Sequence, residues 1–489
     1  MNYLLLILLF IPLLTSLVLF FTRTKHSKLI AGIGTLVTVI YTIYLYIQFN
    51  FVTGYQFVFN APLSGSYGLS FYLGIDGLSL SLVILTAIIM FVAVLYQKHA
   101  DRENLYYGLL LFLEFGLMGV FISLDFFIFY IFWELVLIPG YFLIGRWGGA
   151  RKDYVSINFL IYTHVGSLFM LLAIFTLYYY NGIQNYFTFS IPILLQNIGT
   201  LHIPTLWSNF IVFGFMLAFL IKLPSVPLHT WAPDAYVEAP DSASMIFSGI
   251  MSKMGAYGLF RFILAFTPIM SHTEYYILLA LGILSLLYAS LSALAQKDLK
   301  RLVSYASVGH MSFITIAVAI GIMFTGPIRD LALAGGMFYM FAHGIIIVIL
   351  FGSVGAIERA TNSRIIGDLG GLTKKMPYLA FIMTGGFLAS LGLPGFAGFI
   401  AEFSIILGVY PFIHYLILLI LLGVVLVASY HLWALQRAIY GPYNETLGNI
   451  KDMTRFEFWS MLLALLIALF LGIYPTLIFK LFTLFIGGA

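Results

Sequence analysis

Residues 125–145 read DFFIFYIFWELVLIPGYFLIG, a run that after Asp125 is almost wholly apolar and carries one carboxylate, Glu134, near its middle. A stretch of about 20 such residues spans about 30 Å of hydrocarbon as a helix. Lipid offers no partner to backbone N–H and C=O groups, so the run is expected to be helical. The alternating pattern of a membrane barrel is absent. Working outward, about fourteen runs of this kind appear, near 3–22, 29–49, 76–97, 105–123, 125–145, 155–180, 206–229, 242–266, 274–295, 301–323, 328–352, 376–409, 411–436 and 457–485.

Composition agrees with that reading. Of 489 residues, 62% are hydrophobic and only 9% charged, against roughly 25% charged in ordinary globular domains. No stretch is left over for a soluble domain. The expected fold is an all-α polytopic membrane protein forming a single transmembrane domain over 1–489. It divides into N-terminal helices (1–104), a first block (105–266), a second block (274–436) and a C-terminal helix (437–489). The opening run at Met1-Asn2-Tyr3 has no basic leader and no small-residue cleavage site before Arg23, and is expected to be a retained helix. The segments 50–75 and 181–205, rich in Gly, Asn, Ser, Pro and aromatics, read as interfacial loops.

The lysines and arginines sort by loop. Arg23, Lys25, Lys28, Lys98, Arg102, Arg146, Arg151, Lys152, Lys297, Lys300, Arg301, Arg359, Arg364, Lys374, Lys375, Arg437, Lys451 and Arg455 follow odd-numbered runs, whereas Arg329 and Lys480 fall on the other side. The positive-inside bias then places the basic loops in the cytoplasm or its equivalent and both termini outside. A net charge of +4 arising this way leaves no solvated basic face for nucleic acid. With no cysteine, the chain cannot bind an iron–sulfur cluster through thiolates or form a disulfide. It also lacks a Gly-rich dinucleotide fingerprint and a P-loop. No cofactor and no metal are expected in this chain; redox groups belong on other subunits.

A charge at the bilayer centre costs at least about 2.5–3.5 kcal/mol, so one that persists there normally faces protein or water and is paired. Glu114, Glu134, Lys222, Lys253, Arg261 and Glu402 interrupt apolar runs, as do His164, His310, His343 and His431. Glu134 with Lys222 could be an ion pair that only locks two helices. Carboxylates and amines spread over the fifth, seventh, eighth and twelfth runs suit a proton relay better, each being able to gain and lose a proton. His310 and His343, on the runs between Lys253 and Glu402, are read as relay members. His164 and His431 read as core histidines bonded to backbone carbonyls, and Glu114 and Arg261 as snorkelling side chains near helix ends.

Proline marks the breaks. Pro224 and Pro227 free the carbonyls of Leu220 and Leu223, and Pro394 frees that of Ser390 within the Gly-rich run from Gly392 to Gly398. The breaks lie beside Lys222 and Glu402. Unwound backbone at membrane depth must be covered by protein or line a wet cavity, which puts water beside titratable groups; a kink used only for packing is the plainer alternative. The broken seventh and twelfth runs hold matching places in runs 4–8 and 9–13, and five-helix units in tandem insert in opposite orientations, as in an inverted repeat.

The segments Phe132-Trp133-Glu134-Leu135 through Gly148-Gly149, Ile221-Lys222-Leu223-Pro224 through His229-Thr230-Trp231-Ala232-Pro233-Asp234-Ala235, Ser252-Lys253-Met254-Gly255-Ala256-Tyr257-Gly258, and Gly370-Gly371-Leu372 through Glu402 resemble the antiporter-like M-type subunits of proton-pumping NADH:quinone oxidoreductase, the respiratory complex I family. The resemblance covers about residues 70–445 and carries the order of spans with it. It implies two inverted five-helix repeats and a polar axis through Glu134, Lys222, Lys253, His310, His343 and Glu402. It further implies FMN, iron–sulfur clusters and quinone on partner subunits, sister antiporter-like chains as neighbours in the bilayer, and a prokaryotic plasma membrane or an organellar energy-transducing one. The acidic residue at 402 resembles M-type chains more than their sisters. Tyr236 and Asp241 depart from the family's usual histidine and small residue. The other readings are a subunit of a multisubunit cation/proton antiporter or of a membrane-bound hydrogenase, and a purely structural subunit.

Overall fold

Apolar runs that satisfy their own backbone become helices, and the computed structural model, which describes residues 2–22, 24–97 and 100–488, is built almost wholly of them. Arg23 and Lys98, two of the basic loop positions, lie outside the described residues. Twelve helices among the described residues are long and apolar enough to cross a membrane: Leu4–Phe21, Ser27–Gln48, Gly77–Tyr96, Glu103–Ile122, Phe126–Trp147, Lys152–Gln184, Thr205–Lys222, His272–Leu294, Leu299–Met323, Pro327–Thr361, Ala397–Tyr440 and Arg455–Ile473.

Two stretches account for the difference from the larger number expected from sequence. The eighth run is not one regular helix. It begins as Asp241–Ile246, passes through a π-helical stretch at Phe247–Met251, continues as Ser252–Gly258 and ends in a second π-helical stretch at Leu259–Ile263. Ala397–Tyr440 is the other, interrupted by a 3-10 turn at His414–Leu416, where the sequence separates two spans. His414 there has φ +37°.

The expected breaks are present. The Thr205–Lys222 helix stops at Lys222, and the Leu220 carbonyl that Pro224 leaves without its helical donor is taken instead by the N–H of Ser225 at 2.9 Å. Helix resumes at Trp231–Glu238. Pro377–Ser390 likewise ends before Pro394, and Gly392 and Gly395 turn the chain at φ +77° and +103° before Ala397.

The 50–75 segment corrects the sequence reading. It holds an antiparallel hairpin, Gln56–Ser64 with Leu69–Ile75, rather than a plain loop. Its backbone is tied down by Asp125, whose carboxylate accepts from Ser70 N–H at 3.1 Å while capping the following helix at Phe127 and Ile128.

Burial locates the core. The most apolar windows of Pro327–Thr361 and Leu299–Met323 are 100% and 94% buried, against 33% for each of the first two helices. His343 and His310 therefore sit on the two most enclosed of these twelve helices.

Candidate functional site

Side chains one turn apart on a helix share a face, and Tyr339 and His343 do so on the buried Pro327–Thr361 helix. Facing them from the eighth run is Lys253, placed just after the first π-helical stretch. Its ammonium lies 2.6 Å from His343 Nδ1 and donates to the Ser248 carbonyl at 2.8 Å. The His343 and His310 rings are 5.6 Å apart. His310 Nδ1 meets the Tyr339 hydroxyl at 2.5 Å, and that hydroxyl donates to Glu402 Oε1 at 2.8 Å. Ser390, the last residue before the second break, lies 3.1 Å from His310 Nε2. Lys253, His343, His310 and Glu402 are all buried. The structure thus brings four of the expected relay residues together, with Tyr339 as a link between His310 and Glu402 that the sequence reading did not pick out. Its signal was the one-turn spacing to His343.

At the other end the geometry differs from expectation. Glu134 makes no ion pair with Lys222 among the described residues. Its Oε2 instead lies 2.6 Å from His164 Nδ1, and its Oε1 is buried without a hydrogen-bond partner. Lys222 Nζ, also buried and without a hydrogen-bond partner, faces the rings of Trp133 and Phe159 at 5.7 and 5.9 Å. His164 is accordingly no core histidine: its side chain is 46% exposed, and its ring is held by a carboxylate rather than a carbonyl. His431 matches its reading, with Nδ1 2.8 Å from the Val427 carbonyl.

Glu114 and Arg261 do not snorkel. Glu114 is fully buried well inside its helix, with neither oxygen hydrogen-bonded. Arg261 is buried in a two-armed pair with Asp76, at 2.5 and 2.6 Å, and also reaches Ser79. The apolar runs hid both outcomes, because hydropathy does not say which way a helix is rotated. A cavity of about 690 Å³ opens beside that pair, lined also by Tyr55, Gln196 and Arg329; none of the expected relay residues lines it.

The loops on the basic side are cross-linked. Asp234 receives both Arg151 and Arg301, and Asp241 receives Lys300 and Arg359. The Asp241 departure is thus matched by two cations. Among the described residues, no group of three or more His, Asp or Glu could hold a metal ion. Imidazole, phenol, amine and carboxyl groups can hand on protons where hydrogen bonds join them; Lys253 is so joined to His343 and His310 through Tyr339 to Glu402, and the two histidine rings face each other across the interval between these pairs.

Residues 123–427 match the family described as NADH:quinone oxidoreductase/Mrp antiporter, transmembrane. The chain belongs to this family. It is 41% identical over 482 residues to subunit M of F(420)H(2) dehydrogenase from Methanosarcina mazei, covering 96% of this chain and 94% of that protein. It is 34% identical over 494 residues to subunit M of NADH-quinone oxidoreductase from Rickettsia bellii, covering 97% and 96%. Among solved structures it superimposes on a chain of respiratory complex I from Thermus thermophilus with TM-score 0.86 and 29% identity, over 98% of this chain and 99% of that one. The M-type resemblance read from the motifs is therefore borne out, and the chain is a multi-pass, antiporter-like membrane subunit.

Proposed function

We propose that this subunit moves protons within the membrane arm of a complex I type oxidoreductase, along Lys222, Lys253, His343, His310, Tyr339 and Glu402, with Glu134 setting the charge state of Lys222. The observation that carries the reading is the line of contacts from Lys253 to Glu402 through two histidines and a tyrosine on the most enclosed helices. The Glu134–Lys222 pair stands open, with His164 as the alternative partner of Glu134. Closing the pair would hold a proton on Lys222 and opening it would release one, so a two-state ion pair can drive the relay.

Moving one charge against 100 mV takes about 2.3 kcal/mol. That energy comes from partner subunits, which carry FMN, iron–sulfur clusters and quinone as the family resemblance implies; this chain has no cysteine to ligate a cluster of its own. The electron donor is NADH or reduced F420, the two carried in the names of its relatives. The neighbours are other membrane-arm subunits, sister antiporter-like chains among them, in an energy-transducing membrane with the basic loops inward.

The test is Glu134→Ala and Lys222→Ala in the assembled complex, read as proton uptake by inverted vesicles. Loss of uptake with complex content unchanged is expected; normal pumping sinks the relay. Sodium-dependent transport in vesicles lacking any redox partner would instead mark the chain as an Mrp-type antiporter subunit.

A further inference from the structure

The cavity of about 690 Å³ beside Arg261 and Asp76 takes no part in the relay, and its walls are mostly hydrocarbon. Leu195, Phe260 and Leu264 come to it from the first block, Leu333 from the second, and Leu484 and Phe485 from the C-terminal helix. Its depth follows from the helices that end at it. Leu299–Met323 begins with the basic-side residues Lys300 and Arg301 and reaches the cavity at Gly321 and Ile322. Pro327–Thr361 leaves the cavity at Arg329 and runs back to Arg359. From Arg329 to Arg359 the helix rises about 45 Å, the thickness of a bilayer with both headgroup layers. The cavity therefore opens at headgroup height, at the helix ends opposite the basic loops.

Cations are scarce on that side of a membrane protein. The sorting of the loops leaves only Arg329 and Lys480 there, and both stand at this cavity. Arg329 lines it, with Nε donating to the Gly321 carbonyl at 2.9 Å and Nη1 to Asp330 at 2.8 Å. Its Nη2 closes no hydrogen bond among the described residues. Lys480 shares a helix face with the lining residue Leu484, one turn on. Its ammonium lies 4.8 Å over the ring of Phe51, whose neighbour Val52 also lines the cavity. With Arg261, three cations stand here against two carboxylates, Asp76 and Asp330, and one positive charge is left over.

Apolar walls below a surplus cation at headgroup height suit a molecule with an anionic head and a hydrocarbon tail. The volume falls within the about 300–1,000 Å³ of small-ligand sites. A soluble anion would satisfy the cations and leave the walls bare. We propose that the cavity binds one anionic phospholipid from the leaflet opposite the basic loops, its phosphate between Arg329 and Lys480 and one chain between the two blocks. Arg329 Nη2 donates to a phosphate oxygen, and Lys480 adds a point charge. No relay residue takes part, so the site stands or falls independently of the relay.

The assembled complex is reconstituted in nanodiscs containing phosphatidylglycerol with a photoactivatable diazirine at the end of one chain, and labelled peptides are mapped by mass spectrometry. Label is expected on the cavity residues Leu195–Gly199 and Leu264–Pro268. Excess unlabelled phosphatidylglycerol removes it, and inorganic phosphate does not. Arg329→Gln and Lys480→Gln each lower it about fivefold, with labelling of the lipid-exposed helices of the same complex unchanged. Absence of label in the cavity, with label elsewhere on the complex, means that a partner's segment fills the space and overturns the site. Loss of label to inorganic phosphate makes it a site for a free anion and overturns the lipid. Unchanged labelling in both variants, or equal labelling by a photoactivatable diacylglycerol that lacks the phosphate, leaves an apolar crevice and overturns the headgroup assignment. Should either variant fail to assemble, the diacylglycerol comparison on the unaltered complex decides.

Discussion

Tyr339 holds together two groups that otherwise stand apart. Without its hydroxyl, His310 Nδ1 and Glu402 Oε1 face each other at 3.8 Å, beyond a hydrogen bond. Tyr339→Phe keeps the ring and is expected to abolish most proton uptake while leaving complex content unchanged, measured in inverted vesicles beside an assembly gel. Arg261 makes a different case, one of stability. Removing one partner of a buried pair leaves an uncompensated charge, at about 3–5 kcal/mol. Arg261→Leu should therefore lower the unfolding temperature of the purified complex. Asp76→Asn with Arg261→Leu should recover most of that loss, because asparagine keeps the cap that Asp76 gives Ser79 N–H at 3.0 Å. Lys253, His310, His343 and Glu402 were legible in the sequence because a titratable group stands out in an apolar run. Tyr339 was not, being one of 32 tyrosines in a chain where aromatics are ordinary. Nor was the partner of Glu134, since the choice between Lys222 and His164 depends on helix rotation that periodicity does not fix.

At the scale of elements, the breaks position the acid as well as opening the backbone. Gly392 adopts φ +77°, and a Cβ there would stand 2.7 Å from Glu402 Oε2. Gly392→Ala is thus strained in its backbone, by about 1 kcal/mol or more, and pushes the carboxylate off Tyr339. Proton uptake should fall, whereas Gly367→Ala, with nothing within 4 Å of the added carbon, should be silent in the same vesicles. Proline made both breaks readable from sequence. The hairpin was not readable, because Phe57 at φ +52° and two register irregularities, at Gln56/Phe59 and Pro62/Ser64, interrupt the alternation that signals a strand. The π-helical stretches around Lys253 carry no residue signature at all; the run stays apolar and helical in appearance while its hydrogen bonds shift.

For the whole molecule, the outward face of Lys152–Gln184 is the informative surface. Ile157, Ile161, Val165, Leu168 and Leu172 are exposed along it, as lipid-facing residues would be, yet His164 lies among them with its ring on Glu134. A histidine–carboxylate pair presented to hydrocarbon bears the full cost of a polar group at membrane depth. A neighbouring membrane subunit covering this face removes that cost, and it would place the partner against the same carboxylate that is proposed to set the state of Lys222. The absence of cysteine makes the idea direct to test. Ile161→Cys, at 57% exposure in the isolated chain, gives a single labelling site about one turn from His164. A photoactivated cross-linker attached there should join this chain to another subunit in native membranes. Adducts to lipid alone would mean that the face lies open to the bilayer, and the Glu134–His164 pair would then have to be held at that depth by its own hydrogen bond.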